Sequence, residues 1–179
     1  MQKTPIPVLG FAAYSGTGKT TLLKRLIPLL REQGLCLGLV KHAHHDFDLD
    51  IPGKDSYELR KAGAAQVLVA SHRRWALVTE RDVVEEPELQ PMLERMDRER
   101  LDLILVEGFK HERFPKIELY RPSLGRPLIH PQDPSVIAVA TDGVLPEPTE
   151  LPLLDLNDPA VIADFVLAWM REAGSQLRR

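Results

Sequence analysis

The stretch Ala13-Tyr14-Ser15-Gly16-Thr17-Gly18-Lys19-Thr20 decides the fold of this chain. A small residue, four variable residues and then Gly-Lys-Thr form the pattern of a phosphate-binding loop, which joins a buried strand to a helix N-terminus. Ala13 replaces the glycine of the strict pattern and is small enough for the turn. An apolar run over 8–12 predicts the strand, and the spacing of leucine and isoleucine over 22–30 predicts the helix. This context favours a phosphate loop over a glycine-rich turn before an ordinary helix.

The residue types in this loop suit the binding of a nucleoside triphosphate. Gly16 and Gly18 can adopt backbone conformations closed to other residues, so the amides of residues 15–20 can face one anion. The helix N-terminus adds its positive dipole end. Lys19 would reach the β- and γ-phosphates, Thr20 would be a magnesium ligand, and Thr21 is placed for the α-phosphate. The predicted nucleotide-binding residues of the loop are Ser15, Gly16, Thr17, Gly18, Lys19, Thr20 and Thr21.

Composition and charge narrow the possible partners. The 179 residues include 23 basic and 26 acidic side chains, for a net charge of -3. These charges are spread along the chain and form no basic footprint for nucleic acid or an anionic membrane. Cys36 is the only cysteine and is expected to be a buried strand thiol, which fits a reducing cytoplasm. No apolar run approaches the length of a membrane span, so we expect a soluble protein.

Strand and helix signals alternate along the chain and predict an α/β fold. A β-hairpin is expected over 66–79, around the turn Ser71-His72-Arg73-Arg74. The predicted architecture is a three-layer phosphate-loop NTPase fold with a mostly parallel central sheet, helices on both faces and this extra hairpin. We expect one nucleotide-binding domain over residues 1–179. Residues 121–134 are proline-rich and are expected to form either a mobile loop or a partner surface. Strands are expected at 8–12, 35–40, 101–109, 117–120, 136–140 and 153–156, and helices at 19–33, 56–62, 85–96 and from Asp158 onward.

Two acidic positions are placed to serve a phosphate site. The apolar run 101–106 predicts a strand covered on both faces, and Glu107 ends it at the ligand edge of a parallel sheet. Phosphate-loop proteins keep an acid there that holds magnesium, so Glu107 is the second predicted metal-linked residue. Asp46 and Asp48 lie in a polar loop at the same edge and are the candidate catalytic carboxylates that approach the γ-phosphate or the attacking water. The same segment, with three histidines between His42 and Asp50, could instead hold a transition metal.

Four stretches carry a family resemblance: the loop Phe11–Thr21, the Lys-His-Ala-His-His-Asp of 41–46, the segment 52–64 and the strand end 103–110. Together they resemble the molybdopterin-guanine dinucleotide biosynthesis adaptor protein B family. The second and third are more specific than the phosphate loop. The similarity continues more weakly through Val136–Asp142 and the last helix.

The resemblance implies a phosphate-loop GTPase fold of the group that includes the signal-recognition and nickel-insertion GTPases. It also implies GTP with Mg²⁺, slow hydrolysis and a homodimer. The resemblance further implies that the protein assists a partner guanylyltransferase, which joins GMP to molybdopterin. Molybdopterin itself is a possible further ligand. Nothing in spacing or composition indicates the pterin.

Asp142 is the candidate reader of the guanine base. Many GTPases have Asn-Lys-x-Asp after a late strand, and Thr141-Asp142 here retains only the acid. A carboxylate that accepts the guanine N1 and N2 hydrogens disfavours adenine, which has an acceptor at N1. The alternative is an Asp-Gly turn. Two other functions stay open: a small-metabolite kinase built on the same loop, and a nickel or zinc chaperone that uses the histidine-rich segment.

Overall fold

The elements follow the predicted alternation of strands and helices. A computed structural model of the chain describes residues 6–43, 47–81 and 85–176. The strands are β1 (Val8–Ala12), β2 (Leu37–Lys41), β3 (Gln66–Ala70), β4 (Trp75–Thr79), β5 (Leu103–Glu107), β6 (Lys116–Tyr120), β7 (Val136–Thr141) and β8 (Leu153–Asp155). The helices are α1 (Lys19–Glu32), α2 (Asp55–Lys61), α3 (Leu89–Glu94) and α4 (Pro159–Gln176). No helix among the described residues is long and apolar enough to cross a bilayer.

The chain divides into two compact units. The first combines Met1–His42 with Glu88–Arg179, and the second is Ala43–Pro87. The expectation of a single nucleotide-binding domain over residues 1–179 stays a prediction.

The first unit is built on a six-stranded sheet of order β2-β5-β1-β6-β7-β8. Every neighbouring pair in this sheet is parallel, so all six strands end at the same edge. On one face, Phe11 packs in a core that includes Leu26 of α1 and Ile162 of α4. On the other face, Leu89 of α3 lies in a second core cluster with Ile104. The predicted three-layer α/β architecture is confirmed, and ligands of such sheets bind at the carboxyl edge.

The second unit contains α2 and the predicted hairpin. Strands β3 and β4 pair antiparallel from Gln66↔Thr79 to Ala70↔Trp75. The turn is closed by a hydrogen bond of 2.8 Å from the Ser71 amide to the Arg74 carbonyl. The hairpin prediction is therefore confirmed in both its bounds and its turn.

Two local expectations were wrong. Cys36 is exposed and lies before β2, because parallel pairing begins at Leu37↔Leu103. The helix expected over 85–96 is reduced to Leu89–Glu94. Pro87 accounts for part of that loss, because a proline disfavours the helical conformation in the residue before it.

Candidate functional site

The phosphate loop has the backbone that its glycines predict. Gly16 and Gly18 have φ values of 83° and 103°, in the left-handed region that favours glycine. Thr17 is buried, and its hydroxyl donates to the Tyr14 carbonyl at 2.9 Å, which closes the turn internally. The first backbone bond of α1 runs from the Leu22 amide to the Gly18 carbonyl at 2.9 Å. The amides of the preceding helical turn have no intrahelical acceptor and can therefore donate to an anion.

The Lys19 ammonium lies against the loop carbonyls. Its Nζ donates to Ala13 at 2.8 Å and to Tyr14 at 3.4 Å. Burial of the ammonium lowers the pKa of Lys19; the charge of Glu107 opposes this shift and that of Lys110 adds to it. A bound polyanion would favour the charged form and reverse the shift. The lysine is therefore a cation already positioned at the loop, with its charge incompletely compensated.

Glu107 stands beside the loop at the end of β5. The sheet register places it opposite Phe11 of β1 and Lys41 of β2. Its Oε1 lies 3.5 Å from the Thr20 hydroxyl, and its Oε2 lies 3.5 Å from the Lys41 ammonium. The Glu107 side chain is 13% exposed. The structure thus brings together Thr20 and Glu107, the two predicted metal-linked residues. A carboxylate and a hydroxyl are oxygen ligands of the kind that Mg²⁺ takes, so the pair fits that ion.

The remaining loop positions are open to solvent. Ser15, Gly16, Thr20 and Thr21 are exposed, whereas Gly18 and Lys19 are half-buried. Because these residues are exposed at the N-terminus of α1, they can contact a ligand without rearrangement of the core. The loop residues therefore lie where the sequence pattern places them.

Arg121 joins the loop to Asp142 and is the residue that sequence reasoning missed. Its Nε donates to the Thr17 carbonyl at 2.9 Å, and its Nη1 forms an ion pair with the Asp142 carboxylate. In the sequence, Arg121 is only one of two arginines in the proline-rich segment 121–134. One signal was available: Arg121 directly follows a strand that ends at the ligand edge of the sheet.

Part of the histidine and aspartate segment, residues 44–46, lies outside the described residues. Asp46, His44 and His45 fall in that undescribed part. Asp48 belongs to the second unit, where it forms an ion pair with Arg60, which also pairs with Glu80. Within the described ranges, no group of three or more His, Cys, Asp or Glu side chains could hold a metal ion. The catalytic role of Asp46 and Asp48 stays a prediction.

Comparison with known proteins adds to this geometry. The family model of MobB, described as molybdopterin guanine dinucleotide synthesis protein B, matches residues 8–142. The chain belongs to the MobB family. The matched region begins with β1 and ends at Asp142, so it contains every site residue that the sequence predicts.

Relatives and solved structures agree with this assignment. The molybdopterin-guanine dinucleotide biosynthesis adapter protein of Escherichia coli (strain K12) is 59% identical over 171 residues, which cover 95% of this chain and 97% of that protein. The protein of the same name from Haemophilus influenzae is 43% identical and covers 92% of this chain and 90% of its own length. The crystal structure of Bacillus subtilis MobB has a TM-score of 0.72 at 28% identity, with 91% of this chain and 97% of that chain covered.

Proposed function

We propose that this MobB-family chain is a GTP-binding adapter in molybdopterin guanine dinucleotide biosynthesis, assisting a partner guanylyltransferase. The observation that carries the proposal is the placement of Lys19, the loop amides and the Thr20–Glu107 pair at one end of β1 and β5. The relatives named as adapter proteins support the biosynthetic role.

Triphosphate binding would use groups that are already in place. The amides of the first turn of α1 donate to phosphate oxygens, and the helix dipole favours negative charge at the same point. Lys19 exchanges its hydrogen bonds to the Ala13 and Tyr14 carbonyls for stronger, charge-assisted bonds to phosphate. Lys41, whose side chain is half-exposed, lies close enough to Glu107 to add positive charge to this edge. The site therefore suits a multiply charged anion.

Magnesium would be held by the Thr20 hydroxyl and, directly or through water, by Glu107. When bound, the ion would neutralise charge on the β- and γ-phosphates. In its absence, Lys41 lies 3.5 Å from Glu107 and compensates part of the charge of that carboxylate. Asp142, at the end of β7, is proposed to select guanine by accepting its N1 and N2 hydrogens.

Hydrolysis is expected to be slow. Asp46 and Asp48 are the proposed water-orienting carboxylates, and the Asp48 carboxylate is ion-paired with Arg60. The ion pair engages one oxygen of that carboxylate, which leaves less of it free to orient a water molecule. We therefore assign the guanylyl transfer to the partner enzyme and treat any pterin contact as that partner's.

The kinase alternative needs a segment that closes over the transferred phosphate. The segment 121–135 is instead fixed to β6 by buried charges. Glu118 accepts the amides of Ile129 and His130 at 2.7 and 2.9 Å, and Lys116 pairs with Asp133 at 2.8 Å. Such a segment is a poor lid, which disfavours the kinase.

A homodimer is proposed from the hairpin of the second unit. The antiparallel register places Leu68, Trp75 and Leu77 on one face of the hairpin, and these side chains are 60%, 68% and 47% exposed. Isolated two-stranded hairpins are marginally stable, and clustered exposed apolar side chains mark interaction surfaces. A second copy of the chain would present the same face and bury both.

Calorimetric titration with Mg-GTP tests the nucleotide-binding proposal. Lys19→Ala removes the phosphate cation and no core atom, so we expect at least a roughly 100-fold loss of affinity, because charged hydrogen bonds contribute about 1.5–3 kcal/mol each. Lys24→Ala, at an exposed position of the same helix, is the matched control and should bind as the wild type does. Equal affinity of the Lys19→Ala variant and the wild type would refute the site.

A further inference from the structure

Arg121 occupies a position between the phosphate loop and the proposed base-reading carboxylate. Its side chain is 29% exposed and that of Asp142 is 23% exposed, so the pair is partly shielded from solvent. Besides its bonds to the Thr17 carbonyl and Asp142, its Nη2 lies 3.8 Å from the point that a Cβ on Gly18 would occupy. One guanidinium thus contacts both halves of the proposed nucleotide site.

The sheet itself dictates this contact. Tyr120 of β6 pairs with Thr141 of β7 in the parallel register, so Arg121 and Asp142 each follow a paired residue at the same edge. On the far side of β6, Ala12 pairs with Glu118, which brings the phosphate loop to that edge as well. Arg121 therefore leaves the sheet between the two elements that it connects.

The segment that follows Arg121 is fixed to β6 by two buried charged residues of that strand. Glu118 is 1% exposed and accepts two backbone amides and the His130 ring from the segment after Arg121. Lys116, also 1% exposed, donates to Asp133 and Ser135. These buried charges fix both the strand and the returning loop, so the expectation of a mobile loop over 121–134 finds no support in this packing.

The turn at Asp142 does not require its carboxylate. The Thr141 hydroxyl donates to the Gly143 carbonyl at 3.0 Å and accepts the Gly143 amide at 3.2 Å, which holds the turn. The Asp142 side chain is instead directed to Arg121. An ionised carboxylate has about four acceptor positions. With Arg121 on one oxygen, acceptor capacity remains for two donors of a purine.

We propose that Arg121 is a specificity-determining positioning residue, which holds the Asp142 carboxylate at a fixed place relative to the phosphate loop and so couples guanine selection to phosphate binding. The inference rests on the proposed function. Arginine suits the task because separate nitrogens of one rigid fork donate to the Thr17 carbonyl and to the carboxylate. Lysine has a single flexible point charge and cannot fix both groups in one geometry.

The test is a set of calorimetric titrations with Mg-GTP and Mg-ATP. The proteins are the wild type, Arg121→Gln, Arg121→Lys, Asp142→Asn and the Arg121→Gln/Asp142→Asn double variant. Arg113→Gln is the matched control, since Arg113 is an exposed arginine that precedes β6, at the opposite end of that strand from Arg121. Circular dichroism checks that each variant is folded, and Arg121→Lys keeps the charge should Arg121→Gln fail to fold.

We expect Arg121→Gln to reduce the ratio of the ATP and GTP dissociation constants by about 5- to 10-fold, the lower end of the usual range for coupling between sites. Arg121→Lys should lower this ratio nearly as much while retaining more triphosphate affinity. In the Asp142→Asn background, Arg121→Gln should change the ratio less than 2-fold, because the two residues act as one unit. Arg113→Gln should leave this ratio unchanged.

The outcomes separate this inference from the function on which it rests. Suppose that the wild type prefers GTP. If Arg121→Gln then leaves the ratio of the ATP and GTP dissociation constants unchanged, or if its effect adds to that of Asp142→Asn, the inference alone is overturned. An equal loss of affinity for both nucleotides does the same, since it indicates only a structural role. A wild type that binds neither nucleotide overturns the proposed function and this inference with it.

Discussion

Substitution of Glu107 by glutamine separates the magnesium role of this residue from its structural contacts. Its ion pair with Lys41 spans 3.5 Å, which corresponds to about 5 kcal/mol of Coulomb energy at an effective dielectric constant of about 20. The Lys41 side chain is 56% exposed, however, and solvent screening reduces such pairs to about 0–1 kcal/mol. Glutamine is nearly isosteric with glutamate. Glu107→Gln should therefore change the free energy of unfolding by less than about 1 kcal/mol.

The effect on magnesium should be much larger. A carboxylate that holds the ion through water, at about 5 Å, interacts with the double charge by about 1.7 kcal/mol even at the dielectric constant of water. Loss of that term lowers magnesium affinity by roughly 20-fold, and more in the partly desolvated site. GTP titrations in magnesium and in EDTA measure it: the variant should lose most of the magnesium-dependent gain in affinity while binding in EDTA as well as or better than the wild type.

Asp102→Asn is the matched control, because Asp102 lies at the opposite end of the same strand and its contact is to the Cys36 amide. It should retain the full magnesium dependence. An undiminished magnesium effect in Glu107→Gln would refute the assignment of this residue. So would equal losses in the two variants.

Two further predictions concern stability and assembly. Burial would raise the pKa of Asp133, but hydrogen bonds from Lys116 and Ser135 outweigh burial and lower the pKa below 3.8. The ionised Asp133 therefore stabilises the fold above pH 3.8, and this stabilisation is lost as pH falls through the lowered pKa. Asp133→Asn leaves the buried Lys116 charge unpaired, so urea unfolding at neutral pH should show a free energy of unfolding lower by about 3 kcal/mol. The stability of the variant should also decline less steeply in acid than that of the wild type. A variant with wild-type stability at pH 7 would contradict this prediction. Leu77→Glu places a charge on the apolar hairpin face and should convert a dimer to a monomer, as measured by sedimentation velocity. Glu80→Gln, at an exposed position outside the set Leu68, Trp75 and Leu77, is the control. Dimers in both variants would exclude this face as the dimer interface.

The local features of the fold were predictable from the sequence. The phosphate loop depends on glycines and on an adjacent strand and helix, all within a short stretch. The bounds of β3 and β4 match the prediction because two apolar runs and the polar turn between them are encoded locally. Glu107 was found for a similar reason: a continuous apolar run that ends in an acid predicts a buried strand and a polar edge.

Contacts between distant segments were not predictable in the same way. Arg121 pairs with Asp142, 21 residues away, and with Thr17, 104 residues away, and only the register of β6 against β1 and β7 brings them together. The buried charges Lys116 and Glu118 look like ordinary strand residues until the returning segment supplies their partners. Exposure of Cys36 likewise depends on where parallel pairing begins. These features follow from topology, which a single sequence constrains weakly.

A crystal structure of the chain with Mg²⁺ and a non-hydrolysable GTP analogue tests the central claim most directly. We expect phosphate oxygens within hydrogen-bond distance of the Lys19 ammonium and of the amides from Gly16 to Thr21. The metal should lie beside Thr20 and Glu107, and the guanine edge should face Asp142. A nucleotide bound elsewhere, or a structure grown in saturating analogue in which this loop holds no phosphate, would contradict the account.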